Sequence, residues 1–301
     1  MSKSSTASPR PALSKPEPVE LVCADGQRLQ AHVFAARGEP QAQPVLLSPA
    51  TGVKQHFYWR FADWLAGHGY EVLVFDYRGI GLSLEGKLSA CKAQLLDWGR
   101  LDQVAALQYL LERSGADQAL LLGHSAGGQM IGLLPKHERI ARLVGVAAST
   151  GWFGGMRPAF ALKARLGLGL LIPLGTRVLG YAPTSWLGLG ENLPAAVARQ
   201  WGQWCAAGGY ATNAVRLQAA ADFHAQVRTP ITVLYASDDD IANTVTVQDL
   251  LRTLPAAPSV AHQIRPDEHG LRSIGHLDWF RQSHQALWPL LLSALRGEAL
   301  A

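Results

Sequence analysis

A glycine-containing turn at Gly123–Gly127 is the feature that most constrains how this chain can fold. It reads Gly-His-Ser-Ala-Gly, a G-x-S-x-G pattern, and lies between the apolar run Gln118–Leu122 and a predicted helix start. When a strand turns directly into a helix at a serine, the flanking backbones nearly touch, so small residues are needed two positions to either side. We therefore predict a strained strand–turn–helix that lifts the Ser125 hydroxyl out of a sheet.

The pattern alone does not establish a reactive serine. Glycine accounts for 30 of the 301 residues, so a glycine-rich turn in an unrelated sheet protein is the alternative interpretation. The strand before the motif and the helix after it are the context that a nucleophilic serine requires. This context favours a nucleophile elbow at Ser125.

Predicted strands and helices alternate along most of the chain. Such alternation indicates a mostly parallel sheet with helices on both faces, in which reactive residues lie at the carboxyl ends of strands. The last helix is predicted over Leu277–Leu295, with a kink at Pro289. The predicted strands are 19–23, 29–34, 45–47, 71–75, 118–122, 142–148, 231–235 and 259–264. The other predicted helices are 57–65, one carrying 104, 107 and 111 on one side, one after 127, and 245–254.

Charge and composition exclude several classes of protein. The net charge is +4 with no dense Lys/Arg run, which gives no indication of nucleic-acid binding. Residues 1–18 are expected to form a disordered tail and not a secretory signal, which leaves a folded domain over 19–301. No apolar run approaches the ~20 residues of a membrane-spanning helix, and Leu166–Leu174 is too short.

Three cysteines are spaced far apart in the sequence. Cys23, Cys91 and Cys205 have neither the spacing of metal ligands nor that of a disulfide framework. We therefore expect reduced thiols and a cytoplasmic location.

The alternation breaks between about residues 151 and 210. The stretch Ile140–Gly190 contains no Asp or Glu, although the segment carries several Arg and Lys residues among its aromatic residues. We predict a helical lid over the site, with a helical subdomain that merely covers a sheet edge as the alternative. Trp152 and Phe153 are its candidate substrate-binding residues. A basic, aromatic lid is also a candidate for weak contact with a lipid surface or for attracting an anionic substrate.

The chain supplies an acid and a base for Ser125, each in a loop after a predicted strand. A serine hydroxyl needs a base to take its proton, and an imidazole base needs a carboxylate to fix its tautomer and stabilise its cation. Asp239 is the predicted acid, and its neighbours Asp238 and Asp240 stay open. The acidic triplet also fits a solvated turn that caps the following helix.

The predicted base is His276, which follows Gly275 and precedes the last helix. His269 is the alternative, because it also neighbours a glycine. An acid after the preceding strand is excluded, since no carboxylate lies between Glu138 and Glu191.

Acyl attack creates an oxyanion, and each preorganised N–H donor that stabilises it is worth about 3–4 kcal/mol. The Ala126 N–H is one predicted donor, by its place after the nucleophile. The second is the Thr51 N–H, with Ala50 as the alternative and a plain turn as the non-functional interpretation.

The turn Gly79–Gly81 resembles part of a dinucleotide-binding motif, but the third glycine of that motif and a helix directly after the turn are missing. The predicted nucleophile, base and acid imply no metal or organic cofactor.

These motifs resemble those of the α/β-hydrolases, in particular predicted serine hydrolases similar to monoglyceride lipases and serine aminopeptidases. The resemblance extends from about Val19 to the end of the chain and is weakest across the lid. It implies an α/β-hydrolase fold with eight strands, the second antiparallel, and a lid after the sixth. The family commonly has His-Gly where this chain has Pro49-Ala50. The matching segments are Ser48–Gly52, Phe75–Ser83, Gly123–Gly127, Asp239 and Gly275-His276.

The constellation and the resemblance together predict a serine hydrolase that cleaves carboxylic esters through an acyl-enzyme. The expected partner is a small-molecule ester with an apolar acyl group. Acyl transfer and amide cleavage by the same residues stay open, as does a non-catalytic protein that binds a ligand through the lid, because this fold hosts all of them.

Overall fold

An eight-stranded sheet forms the centre of the molecule. The computed structural model describes residues 15–188, 190–213 and 221–300. Along the chain the strands are β1 (Glu17–Val22), β2 (Arg28–Phe34), β3 (Val45–Ser48), β4 (Val72–Phe75), β5 (Ala119–His124), β6 (Ile140–Val146), β7 (Tyr181–Ala182), β8 (Leu193–Pro194), β9 (Ile231–Ala236) and β10 (Ser259–Ile264). Strands β7 and β8 pair with each other outside this sheet. All eight predicted strands are present, with ends within two residues of the prediction.

The sheet order is β1-β2-β4-β3-β5-β6-β9-β10. Strand β2 is antiparallel to both of its neighbours, and the remaining pairs are parallel. Every residue of β3, β4 and β5 is buried, so both faces of the central sheet are covered. The parallel strands therefore direct their carboxyl ends to one common edge, where the loops that follow β3, β5, β9 and β10 lie.

The helices connect the parallel strands. The α-helices are α1 (Trp59–Ala66), α2 (Leu95–Asp97), α3 (Gln103–Ser114), α4 (Ala126–Gln129), α5 (Pro158–Leu166), α6 (Ile172–Leu179), α7 (Ala195–Ala206), α8 (Thr244–Arg252) and α9 (Trp288–Arg296). The π-helical turns are Trp98–Asp102 and Gly167–Leu171. The longer 3₁₀ turns are Gln55–Tyr58, Thr184–Leu187 and Gln282–Leu287.

Two expectations at the chain ends need correction. The last helix was predicted over Leu277–Leu295, but two 3₁₀ turns precede α9, and Pro289 lies in the first turn of α9, where its missing N–H costs no hydrogen bond. At the other end, the expected tail 1–18 lies outside the described residues up to 14. Glu17 and Pro18 belong to β1, since they pair with β2 and the Glu17 carboxylate binds Arg113.

The segment after β6 contains the elements of the expected lid. Its α5, π turn and α6 form one helical segment, Pro158–Leu179, of 22 residues, within which an 18-residue window has a mean hydropathy of 1.3. By length and composition alone this segment is long enough to cross a membrane, although Lys163, Arg165 and Arg177 interrupt its apolar residues. A single segment of this kind is weak evidence for a span, because the core helix of a soluble protein passes the same test.

A close backbone approach lies at the turn between β5 and α4. A Cβ atom at Gly127 would overlap the carbonyl oxygen of Ser48 in β3, and one at Gly123 would overlap the backbone of Gly128. Helix α4 can therefore pack on the sheet edge only if these positions lack a side chain.

We predict that Gly127→Ala lowers the free energy of unfolding by about 3 kcal/mol, because the backbone of β3 cannot move aside for a methyl group. The matched control is Gly169→Ala, since a Cβ at this helical glycine meets nothing within 4 Å. The control is expected to change stability by less than about 1 kcal/mol. Denaturant unfolding of both variants checks the prediction, and equal midpoints would contradict it.

Candidate active site

Ser125 lies at the carboxyl end of β5 in a strained backbone conformation. Its φ of 47° and ψ of −116° are unusual for a residue with a side chain. Two backbone hydrogen bonds hold the turn: the Ser125 N–H donates to the Val146 carbonyl, and the Gly128 N–H donates to the Ser125 carbonyl, both at 2.9 Å. The half-buried Ser125 side chain stands at the sheet edge, as the sequence pattern predicts.

The structure brings His276 and Asp239 to Ser125 across large sequence separations. The His276 Nε2 lies 3.0 Å from the Ser125 Oγ, and the His276 Nδ1 lies 2.7 Å from the Asp239 Oδ2. The Asp239 side chain is fully buried, whereas that of His276 is 16% exposed. With its Nδ1–H donated to the carboxylate, the imidazole presents the Nε2 lone pair to the serine hydroxyl.

Three consecutive aspartates after β9 have three different partners. The Asp239 Oδ1 also accepts hydrogen bonds from the N–H groups of Ile241 and Ala242, at 2.8 and 3.0 Å, which fix the carboxylate in its turn. The Asp240 carboxylate forms an ion pair with Arg157 in the segment after β6. Neither Asp238 nor Asp240, the two alternatives that the sequence left open, binds the imidazole of His276.

Asp238 holds the loop that carries His276. Its two carboxylate oxygens accept hydrogen bonds from the N–H groups of Ile274 and Gly275, each at 3.0 Å. The other histidine alternative, His269, lies at the end of a short 3₁₀ turn in the same loop. The interpretation of the triplet as a helix cap does not hold, because Asn243 makes the capping box of α8.

The two candidate oxyanion donors in the loop after β3, the N–H groups of Ala50 and Thr51, differ in their hydrogen bonding. The Ala50 N–H donates to the Tyr58 hydroxyl oxygen at 2.9 Å and is therefore engaged. Among the described residues, no hydrogen bond uses the N–H of Thr51 or that of Ala126 at the start of α4. The first N–H groups of a helix have no partner within the helix, so that of Ala126 is available to an anion.

Comparison with known proteins agrees with this architecture. A family model described as "Alpha/beta hydrolase family" matches residues 45–288.

The chain belongs to the alpha/beta hydrolase family.

One curated relative matches a smaller part of this chain than the family model does. The chain is 31% identical to the uncharacterized protein YfhR of Escherichia coli K12 over 124 residues, which cover 38% of this chain and 40% of YfhR. The match thus spans about two-fifths of the length of that curated relative.

Two solved structures share the fold. A soluble variant of monoglyceride lipase from Saccharomyces cerevisiae, in complex with a substrate analog, superposes with a TM-score of 0.65 at 14% identity, covering 96% of each chain. The esterase PF2001 of Pyrococcus furiosus gives 0.61 at 15% identity, covering 94% of this chain and 90% of the esterase. The predicted α/β-hydrolase fold is thereby confirmed, and monoglyceride lipase is among the proteins that share it.

In this alpha/beta hydrolase, the turn Gly79–Gly81 has a structural role. A Cβ atom at Gly81 would overlap the carboxylate of Asp76, which accepts hydrogen bonds from the N–H groups of Gln55 and Leu82. The turn is therefore wrapped around a buried carboxylate. Within residues 15–188, 190–213 and 221–300, no group of three His, Cys, Asp or Glu side chains could hold a metal ion.

The candidate substrate residues differ in exposure. Phe153 is buried in the hydrophobic core, and Trp152 is half-buried against Gly154. Their role in substrate binding stays a prediction.

A cavity of about 520 Å³ lies beside the Thr51 loop and is lined in part by Lys54, Ile80 and Glu191. None of Ser125, His276 and Asp239 lines this cavity.

Sequence reasoning missed a buried network behind His276. The His124 Nδ1 lies 2.8 Å from the Tyr58 hydroxyl, and the His124 Nε2 lies 2.9 Å from the His276 carbonyl oxygen. Because that carbonyl only accepts, the Nε2 carries the proton, and the Nδ1 accepts from Tyr58. Tyr58 in turn accepts from Ala50, so one chain of hydrogen bonds joins the Thr51 loop to the His276 loop.

We predict that Tyr58→Phe lowers the free energy of unfolding by about 1–3 kcal/mol, because it leaves the Ala50 N–H and the His124 Nδ1 buried without a partner. The matched control is Tyr210→Phe, since the buried Tyr210 hydroxyl has no hydrogen-bond partner among the described residues. Denaturant unfolding should show almost no change in the control. Equal losses in both variants would contradict the network.

The buried position of His124 generates a second prediction. Burial and the nearby His276 lower the pKa of His124 from 6.5 to about 3. The unfolded chain takes up a proton near pH 6.5 but the folded chain does not, so this stabilisation is complete above that pH and is lost as the pH falls toward 3. The expected slope is about 1.4 kcal/mol per pH unit.

Unfolding titrations between pH 7 and pH 4 measure this slope. His124→Gln has no charge at any pH and should show a shallower decline than the parent, while other groups, such as the buried His224, act equally in both proteins. Parallel declines in parent and variant would contradict the assignment.

Proposed function

We propose that this alpha/beta hydrolase is a serine hydrolase that cleaves carboxylic esters through an acyl-enzyme. The observation that carries the proposal is the continuous hydrogen-bonded chain from the Asp239 carboxylate through His276 to the Ser125 hydroxyl. The N–H groups of Thr51 and Ala126 take part in no hydrogen bond among the described residues. They are therefore available as donors to an oxyanion on the substrate.

The first half-reaction forms an ester on Ser125. The Oγ attacks the substrate carbonyl carbon while its proton passes to the Nε2 of His276, and Asp239 stabilises the resulting imidazolium. The N–H groups of Thr51 and Ala126 hold the oxyanion of the tetrahedral intermediate. When the intermediate collapses, the bond to the alcohol breaks and His276 returns the proton to the leaving oxygen.

The second half-reaction releases the acid. His276 takes a proton from a water molecule, whose oxygen attacks the acyl carbon, and the proton then returns to the Ser125 Oγ as the ester bond breaks. The proposed substrate is a small ester with an apolar acyl group, contacted by Trp152 and Phe153 of the lid. A cytoplasmic location belongs to the same proposal and is supported by three cysteines that form no disulfide.

Hydrolysis of p-nitrophenyl esters, from acetate to decanoate, tests the proposal. Ser125→Ala and His276→Ala should lose turnover while keeping the far-UV spectrum of the parent. Asp239→Asn should lower kcat by about 10⁴-fold, because the imidazole then adopts the wrong tautomer. A fluorophosphonate probe should label the parent but not Ser125→Ala.

The matched control is Asp240→Asn, which removes the adjacent carboxylate and its exposed ion pair with Arg157. Such a pair contributes at most about 1 kcal/mol, so kcat should fall by less than about fivefold. Equal losses in Asp239→Asn and Asp240→Asn, or a parent that the probe does not label, would refute the assigned roles. Normal ligand binding without turnover would favour a non-catalytic protein.

A further inference from the structure

The outer side of the lid helix carries an uninterrupted row of exposed apolar side chains. Six of the eleven exposed large hydrophobic residues in the described part of the chain lie on Pro158–Leu179, each between 48% and 73% exposed. Such a concentration on one element is unusual, because single exposed leucines are normally scattered over a surface. We call these residues the leucine face: Leu162, Leu166, Leu170, Leu171, Leu174 and Val178.

The π turn keeps this row on one side of the helix. Five of the six residues are spaced four apart, and in an α-helix of 3.6 residues per turn such a row drifts by about 40° at each step. The turn Gly167–Leu171 forms i→i+5 hydrogen bonds and holds more residues per turn, which reverses part of the drift. The row is therefore straighter than an uninterrupted α-helix would allow.

The inner side of the same helix packs against the protein. Leu168 and Ile172 are buried in the hydrophobic core, and a Cβ atom at Gly202 of α7 would lie 3.2 Å from the Leu168 carbonyl oxygen. A helix held in this way cannot leave the protein to cross a bilayer without exposing its buried face. It can lie in the plane of a membrane with its outer face inserted.

The positive charge around the leucine face indicates which kind of lipid surface this face contacts. Lys163, Arg165 and Arg177 are exposed on the same helix, and no Asp or Glu occurs from Ile140 through Gly190. Trp186, in the 3₁₀ turn after β7, is 75% exposed. Basic side chains beside an apolar helical face, with an exposed tryptophan nearby, are typical of helices that bind anionic lipid interfaces.

We propose that the leucine face docks this protein on a lipid bilayer with anionic headgroups, with the Pro158–Leu179 helix lying in the interface. The leucines enter the boundary of the acyl region, and the basic side chains contact the headgroups. Docking requires no turnover, so it goes beyond the proposed ester cleavage and can fail or hold independently of it.

Sedimentation with lipid vesicles tests the proposal. The full-length parent should sediment with vesicles of phosphatidylcholine and phosphatidylglycerol, less with phosphatidylcholine alone, and less at high salt, because salt screens the basic residues. The double variant L166Q/L174Q should bind about tenfold more weakly, since two half-exposed leucines no longer enter the acyl region. Glutamine is a good helix former, so the helix should persist.

The matched control is V22T/V260T, which removes two equally exposed valines from the edge strands β1 and β10. It should bind like the parent. The proposal is overturned if the parent stays in the supernatant, if both double variants bind equally, or if neither headgroup charge nor salt affects binding. Retention on vesicles after an alkaline carbonate wash would indicate a spanning helix instead and would also overturn it.

The remaining candidate occupant is a second copy of the chain. Sedimentation equilibrium without lipid should show a monomer for the parent and for both double variants. A dimer that L166Q/L174Q dissociates would assign the leucine face to self-association and overturn the proposal. Labelling of Ser125 by the fluorophosphonate probe, measured on the same samples, reports on the catalytic proposal separately.

Discussion

The site depends on the abrupt turn from β5 into α4 at Ser125. A residue with a side chain at φ 47° is strained, and the turn persists because its surroundings allow no other path. Its N–H is bound to β6, while Gly127 lies against the β3 backbone with no room for a Cβ. Since β3, β5 and β9 are parallel members of one sheet, fixing this turn also fixes which loops face the serine hydroxyl.

The parts of the site that sequence could predict are those that depend on short segments. The G-x-S-x-G turn carries its own requirement for small residues, and the central strands β3, β4 and β5 were found within two residues because their apolar runs are continuous. The choice among Asp238, Asp239 and Asp240 was different, because neighbouring side chains of one turn point in different directions. The partners come from distant segments: the backbone of the His276 loop for Asp238, the imidazole for Asp239, and Arg157 for Asp240.

Longer-range contacts had no sequence signal. Whether Ala50 or Thr51 offers its N–H depends on the hydroxyl of Tyr58, a residue that no sequence motif marks. His124 occupies a variable position of the motif, and its partners lie 66 and 152 residues away. In the segment after β6, the extent of the helix depends on burial of its inner face and on a π turn, which carry the helix through Gly167, Gly169 and Pro173.

The segment after β6 is joined to the loops beside Ser125. Its N-terminal part contacts the loop after β9 through the pair of Arg157 with Asp240, and the Gly155 carbonyl accepts from the Asn243 side chain at 3.0 Å. Its later part reaches the other side, where the Glu191 N–H donates to the carbonyl of Gly52, next to Thr51, at 2.7 Å. The segment after β6 is therefore attached both to the loop that carries Asp239 and to the loop that carries Thr51. The leucine face lies between these two attachments along the chain.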